Sequence, residues 1–266
     1  MTATLAEAPT QETPPAITLT VLGSGTRVLL RERSMAGYAL TCADHLLLLD
    51  CGDGVLRRGL EAGLPLLTVD AILITHFHLD HIADLPPLLW ALHGEGEQRQ
   101  HRPLQVYGPP GLQNFWKGLA ALYGRWIEDI AVPIRVREVS AQAFETGPWQ
   151  VQALPMNHGV PANGYRLQSG GRVLAYTGDT GPCPEVAELA AAADLLIAEC
   201  SFPNGRGVAN HLTAGEVGAI ARSADCRQVL LSHLYPESLA APVVAQCREF
   251  FSGEIKLARD LDRLTL

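Results

Sequence analysis

From residue 17 onward the chain alternates short apolar runs with polar turns, and no linker interrupts them. ITLTVL at 17–22 reads as a buried strand that ends in Gly23-Ser24-Gly25-Thr26. GYALTC (37–42) and HLLLLD (45–50) flank Ala43-Asp44 and predict a hairpin. Residues 55–60 fit a helix that stops at Gly63. AILIT (71–75) and LQVYG (104–108) are further strands, the second followed by Pro109-Pro110-Gly111. An amphipathic helix comes next, with Leu112, Phe115, Trp116, Leu119 and Leu122 on one face. VQALPM (151–156), GYRLQ (164–168) and RVLAYT (172–177) predict consecutive strands, the last two joined at Ser169-Gly170-Gly171. DLLIAE (194–199) and QVLLSH (228–233) are apolar enough to be buried strands. The helix between them opens on a capping box, Thr213-x-x-Glu216. A β-rich first part followed by mixed β and α predicts a layered α/β sandwich in one domain over 16–266. Residues 1–15, MTATLAEAPTQETPP, read as a loose tail without the apolar stretch of a secretory signal.

Composition narrows the classes. With 47% hydrophobic and 18% charged residues in 266, a sizeable core is available, which excludes disorder, collagen and a small disulfide scaffold. The net charge of -8 argues against a protein that grips nucleic acid through its overall field, although a local basic patch survives that argument. Six cysteines form no CxxC pair and are expected as buried thiols of a cytoplasmic protein. No uncharged apolar run reaches about 18 residues, so no membrane span is expected.

The chemistry collects at strand ends. AILIT runs into His76-Phe77-His78-Leu79-Asp80-His81, four potential ligands in six residues. His76 and His78, two apart in an extended stretch, face one side. Asp80 and His81 follow where the chain turns toward a helix, and face a second point. Imidazole suits zinc, and a carboxylate beside it suits a paired site. VQALPM leads to His158, RVLAYT to Asp179 and QVLLS to His233, each where an α/β fold places its active site. His45, His93 and His101 have no such context and are expected as surface or satisfied residues.

These stretches resemble the metallo-β-lactamase superfamily. The HxHxDH run at 76–81 is the most specific motif, and Asp50, His158, Asp179 and His233 fall in the family's order. The resemblance implies an αββα sandwich with two zinc ions, or Mn2+ or Fe2+, between the sheet edges. His76, His78 and His158 would bind the first ion. Asp80, His81 and His233 would bind the second, Asp179 would bridge them, and Asp50 would orient ligands. Within the superfamily, GSGT (23–26), VYGPPG (106–111), HGVPANGYRL (158–167), AECSF (198–202) and HLT (211–213) resemble ribonuclease Z and related phosphodiesterases. That likeness implies a Glu199–His211 pair in which His211 protonates a leaving oxygen. Asp80 would orient a hydroxide shared by the ions.

Ribonuclease Z proteins usually carry a basic arm that clamps tRNA, placed in the bacterial form between the third-motif His and the bridging Asp. Here His158 and Asp179 stand 21 positions apart, and two strands with a tight turn fill the interval. The reading is therefore a dinuclear zinc hydrolase of small phosphodiesters, with nucleic acid not favoured as a partner. A homodimer is left open. The metal residues alone leave three alternatives standing: tRNA 3′ processing, a lactonase or carboxylic ester hydrolase, and a non-catalytic sensor. Arg27, Arg31 and Arg33, after the first strand, either meet a phosphate or belong to a solvated loop. The helix with Phe115, Trp116 and Tyr123, followed by Trp126, either caps the site or simply packs.

Overall fold

The computed structural model describes residues 16–95, 102–127, 129–130 and 132–266. The expected tail at 1–15 and His101 lie outside the described residues. Strands β1 (Ile17–Gly23), β2 (Gly37–Cys42), β3 (His45–Leu49), β4 (Ala71–Leu73), β5 (Leu104–Gly108) and β6 (Ile134–Glu138) form one sheet. The second sheet takes β7 (Gln142–Thr146), β8 (Trp149–Pro155), β9 (Asn163–Ser169), β10 (Arg172–Tyr176), β11 (Leu195–Glu199), β12 (Gln228–Ser232) and β13 (Glu254–Leu257). The chain then returns to the first sheet as β14 (Arg263–Thr265). Strand orders are β14-β1-β2-β3-β4-β5-β6 and β13-β12-β11-β10-β9-β8-β7. The two sheets mirror each other in plan. Each has a parallel part, β3 to β6 and β10 to β13, and an antiparallel part beside it.

Apolar faces decide the layering. Leu19, Tyr38, Leu47, Trp149, Tyr165 and Leu174 fill the space between the sheets. Helices α1 (Val55–Glu61), α3 (Leu85–Glu95) and α4 (Leu112–Tyr123) cover the outer face of the first sheet through Val55, Leu88, Leu92 and Leu112. A one-turn helix, α2 (Leu79–Ile82), precedes α3. On the second sheet, α5 (Pro184–Ala190), α6 (Ala214–Ser223) and α8 (Val243–Arg248) do the same through Leu189, Val217 and Val243. The short α7 (Pro236–Leu239) follows β12. This is the expected αββα sandwich. No helix among the described residues is long and apolar enough to cross a membrane.

Several local expectations take a definite form. The capping box of α6 is complete, with Thr213 accepting from the Glu216 amide and Glu216 accepting from Thr213. Gly170 and Gly171 both have positive φ and close the tight β9–β10 hairpin, a turn that only glycine adopts freely twice in a row. The stripe of α4 ends one turn early: Leu119 is buried, but Leu122 is 74% exposed. All six cysteines are free thiols. The parallel strands of both sheets point their C-terminal ends at one rim. Two phenols pin the sheets together beside it, Tyr38 donating to Ser232 Oγ and Tyr165 to the Ile74 carbonyl, each at 2.6 Å.

Candidate metal centre

Five of the residues expected at the centre follow the end of a strand. Asp50 follows β3, His76 follows β4, His158 follows β8, Asp179 follows β10 and His233 follows β12. His78 caps α2, which carries Asp80 and His81. Asp50 and His233 hold positive φ, 58° and 52°, a conformation that side chains other than glycine adopt only at a cost. The rim turns sharply at both, and aims them inward.

Two groups of ligand atoms result. His78 Nδ1 lies 3.0 Å from His76 Nε2 and 3.2 Å from His158 Nε2. Asp179 Oδ1 lies 3.3 Å from both His81 Nε2 and His233 Nε2, and His233 Nε2 is 3.4 Å from Asp80 Oδ2. The other oxygen of Asp179 faces the first group, 3.9 Å from His76 Nε2 and 3.8 Å from His158 Nε2. Asp179 therefore stands between the groups with one oxygen toward each.

The donor set fits divalent ions. Zinc–nitrogen bonds of about 2.0–2.1 Å in a tetrahedron put neighbouring ligand atoms about 3.3 Å apart, which matches both groups. His81 Nε2, His233 Nε2 and Asp179 Oδ1 are buried with no hydrogen-bond partner among the described residues. Buried polar atoms of this kind are ordinarily paired, so these three fit coordination to a cation.

At His76, His81, His158 and His233 the opposite ring nitrogen, Nδ1, is engaged, which sets the tautomer of these four rings. His81 Nδ1 donates to Asp50 Oδ2 at 2.7 Å, and His158 Nδ1 to the Asn210 carbonyl at 3.1 Å. Thr75 Oγ1 gives its own hydrogen to Asp50 Oδ2, so it can accept from His76 Nδ1 at 3.0 Å. Ser201 Oγ gives its hydrogen to Glu199 Oε2, so it can accept from His233 Nδ1 at 3.0 Å. Each Nε2 lone pair is thereby left for a cation. Burial pushes the His76 imidazolium down, and nearby His81 adds to that, so the ring is neutral as a ligand must be. Burial opposes ionisation of Asp179, but His233 and His81 outweigh it and hold the carboxyl well below its usual range. Burial is likewise overcome at Asp80, which the adjoining His233 and His81 bring down to about 2.

Glu199 and His211 stand beside the second group. His211 Nδ1 lies 3.0 and 3.1 Å from the two Glu199 oxygens, and the Thr180 amide donates to Glu199 at 2.6 Å. Burial lowers the affinity of His211 for a proton, but its bond to Glu199 and that carboxylate's charge win and raise it. With Nδ1 engaged, Nε2 is the nitrogen left for the cleft. That cleft has a volume of about 760 Å³, and His78, Asp80, His158, Asp179 and His211 line it.

Three side chains at the centre had escaped the reading of the sequence: Thr75, Tyr176 and Ser201. Their signal is position. Thr75 immediately precedes His76, Tyr176 ends the strand before Asp179, and Ser201 stands two residues after Glu199. Of the three arginines after β1, only Arg27 lines the cleft. Arg33 turns inward and donates to Ser24 and the Ala258 carbonyl, while Arg31 lines a separate depression. Helix α4 packs on the sheet instead of capping the centre, and its Phe115 stacks on Phe77 at 5.0 Å. His45 lies beside Asp44 and Asp70, and His93 stacks on Trp90, both away from the cleft.

Comparison with known proteins agrees with this geometry. Residues 45–234 match the family model of the beta-lactamase superfamily domain. The chain is 28% identical over 306 residues to ribonuclease Z of Thermobifida fusca, covering 93% of this chain and 94% of that protein. The crystal structure of the metallo-beta-lactamase fold protein YhfI from Bacillus subtilis superposes with a TM-score of 0.82 at 26% identity, over 94% of this chain and all (100%) of that one. A diphosphatase from the PhnP family shares the fold with a TM-score of 0.73 at 21% identity, over 93% and 97% of the two chains. With a matching family model over most of its length and a cleft built from the ends of both sheets, the chain belongs to the metallo-β-lactamase superfamily, as a ribonuclease Z-like, metal-dependent hydrolase.

Proposed function

We propose that the chain is a dinuclear zinc-dependent phosphodiesterase that acts on small phosphodiesters. The observation that carries this reading is the His211–Glu199 pair, 3.0 Å apart beside the candidate metal centre. A phosphodiester expels a poorly stabilised alkoxide, which needs a proton. His76, His78 and His158 would hold one ion, and Asp80, His81 and His233 the other, with one Asp179 oxygen toward each. The His-rich, thiolate-free donor set suits zinc and also accepts Mn2+ or Fe2+. Bound ions supply Lewis-acid charge and lower the pKa of water toward neutrality.

The residues of the chain do the rest. Asp80, ionised and at the cleft surface, orients the attacking water toward phosphorus. His211 Nε2 hands its proton to the leaving oxygen as the P–O bond breaks, and the Glu199 carboxylate holds the Nδ1 proton and keeps the ring in that tautomer. The names of the relatives, a ribonuclease and a diphosphatase, support chemistry at phosphorus.

Processing of precursor tRNA is the second reading, favoured by the likeness to ribonuclease Z. Against it stand the short β9–β10 hairpin between His158 and Asp179 and the net charge of -8. The test is metal analysis together with turnover. Purified protein is expected to hold close to two zinc ions per chain. Turnover of bis(p-nitrophenyl) phosphate is expected to disappear on chelation and return with zinc. Fully metallated protein that turns over no phosphodiester would overturn the proposal. Efficient cutting of precursor tRNA at the discriminator base would promote the second reading.

A further inference from the structure

Much of the cleft is not needed to hold a metal or deliver a proton. Asn210 is already engaged with His158, its carbonyl facing Nδ1 at 3.1 Å and its amide donating to the His158 carbonyl at 3.5 Å. Arg27, the one Lys or Arg lining the cleft among the described residues, lies over the Tyr235 ring, 6.0 Å from its centroid. Phe202 stacks on the same ring at 5.3 Å, so that wall is closed on itself. Met35, Phe77, Leu79 and Val208 remain. Leu79 opens α2, between His78 of the first ligand group and Asp80 of the second, and is 72% exposed. Val208 stands three residues before His211, whose backbone amide donates to its carbonyl at 3.2 Å, and is 43% exposed. Phe77 and Met35 are half-buried, and Phe115 braces Phe77 from behind.

A lone exposed leucine on a surface is ordinary. Exposed aliphatic side chains gathered at the mouth of one cleft are not, and such patches mark ligand grooves. A diester carries one negative charge, which belongs to the ions at the centre. Its leaving oxygen has to lie against His211, on the side of the cleft where Val208 and Phe202 stand. The retained ester oxygen then points away from His211, toward the bank that Met35, Phe77 and Leu79 contribute from the connections of the first sheet. That bank has no cation and no hydrogen-bonding side chain. A sugar or a charged group lying on it would lose water and gain no partner. An alkyl or aryl group would gain by burial. The cleft volume of about 760 Å³ leaves room for such a group beside the phosphate.

We infer that the Met35–Phe77–Leu79 bank selects the retained alcohol of the substrate, and that it takes an apolar one. The inference rests on the phosphodiesterase reading and adds a substrate class to it: phosphodiesters of a short alkyl or aryl alcohol.

Four p-nitrophenyl phosphodiesters that differ only in the retained alcohol test it: methyl, butyl, 2-methoxyethyl (the size of butyl, but polar) and thymidine 5′. For the wild type, kcat/KM is expected to rise roughly 5- to 50-fold from methyl to butyl, at about two- to fourfold per buried methylene. The 2-methoxyethyl and thymidine esters are expected to fall below butyl. Leu79→Ser is expected to remove most of the butyl advantage, and Leu79→Met, which keeps the apolar bulk, to retain it. A second measurement needs no turnover: calorimetric binding of butyl phosphate and 2-methoxyethyl phosphate to zinc-loaded wild type and Leu79→Ser. Butyl phosphate is expected to bind more tightly, and the serine variant to lose that preference. Equal turnover of the butyl and 2-methoxyethyl esters, a thymidine ester that outruns butyl, or a butyl advantage that survives Leu79→Ser would overturn the inference. If no diester turns over, the phosphodiesterase reading fails, and the binding preference between the two alkyl phosphates still decides this one.

Discussion

Asp50 touches no solvent, yet four donors converge on it. Thr75 N–H gives to Oδ1 at 2.7 Å. Thr75 Oγ1, His81 Nδ1 and the Tyr176 hydroxyl give to Oδ2 at 2.8, 2.7 and 2.7 Å. Asp50→Asn keeps the shape but exchanges one oxygen for an amide that donates. The least damaging placement keeps oxygen at the crowded position and turns the amide toward Thr75 N–H. One bond is then lost, two donors face each other, and the other three bonds lose their charge assistance. An unsatisfied buried N–H costs about 1–3 kcal/mol, and weakening the charged bonds brings the total to about 2–4 kcal/mol. For a chain of this length that lowers the Tm of metal-free protein by roughly 5–15 °C. His81 also loses the carboxylate that orients it, so zinc affinity is expected to fall about 10- to 100-fold. Thermal unfolding after chelation and zinc competition against a chromophoric chelator read the two effects separately. A lowered Tm with zinc affinity within twofold of wild type would make Asp50 a packing residue only. An unchanged Tm would refute the hydrogen-bond accounting itself.

Asp179→Ala should lower zinc content and diester turnover together, because its two oxygens face the two ligand groups; elemental analysis beside a turnover assay checks this. His211→Ala should keep its zinc and slow alkyl phosphodiesters about 10²- to 10⁴-fold more than p-nitrophenyl ones, which leave without a proton. Equal losses on both would remove it from the acid role. Ser201→Ala takes away the acceptor for His233 Nδ1 and should weaken zinc binding about tenfold in a chelator titration. Gly178→Ala places a Cβ 2.7 Å from the Thr75 Cβ at a φ of +56°, so Tm should fall by the equivalent of about 1–3 kcal/mol and zinc content with it.

The central strands were legible because they are buried on both faces: β4 is apolar throughout and runs on toward His76, and β11 is apolar up to its last residue, Glu199. The edge strands were not. β6 reads IRVRE, with half-buried and exposed positions alternating, and β7 reads QAFET, where only Phe144 and Thr146 are buried; neither forms an apolar run. Helix α3 was hidden by Pro86-Pro87, which punctuate a sequence but fit the first turn of a helix. At the site, histidines and aspartates stand out because their side chains have few structural uses in such spacing. Thr75, Ser201 and Tyr176 do not, since threonine, serine and tyrosine at strand ends are ordinary. Their importance lies in which proton each one accepts or donates, and that depends on partners far away in sequence, as Tyr176 and Asp50 are.

These supporting hydrogen bonds also tie the centre to the closure of the sandwich. Asp50, His76 and His81 come from the first sheet and its connections; His158, Asp179 and His233 come from the second. Tyr176 reaches across to Asp50, and Tyr38 reaches back to Ser232 beside His233. The ligand atoms therefore approach to about 3.3 Å only when the sheets are packed, because no one sheet supplies both groups. Ser201 extends the same coupling to the acid: its single hydroxyl touches Glu199, lies 3.3 Å from His211 Nδ1, and can accept from His233. Proton delivery and metal binding thus share one buried hydrogen-bond network. In such a network the effect of a deletion depends on the other members, so paired substitutions at Ser201 and Glu199 are not expected to add.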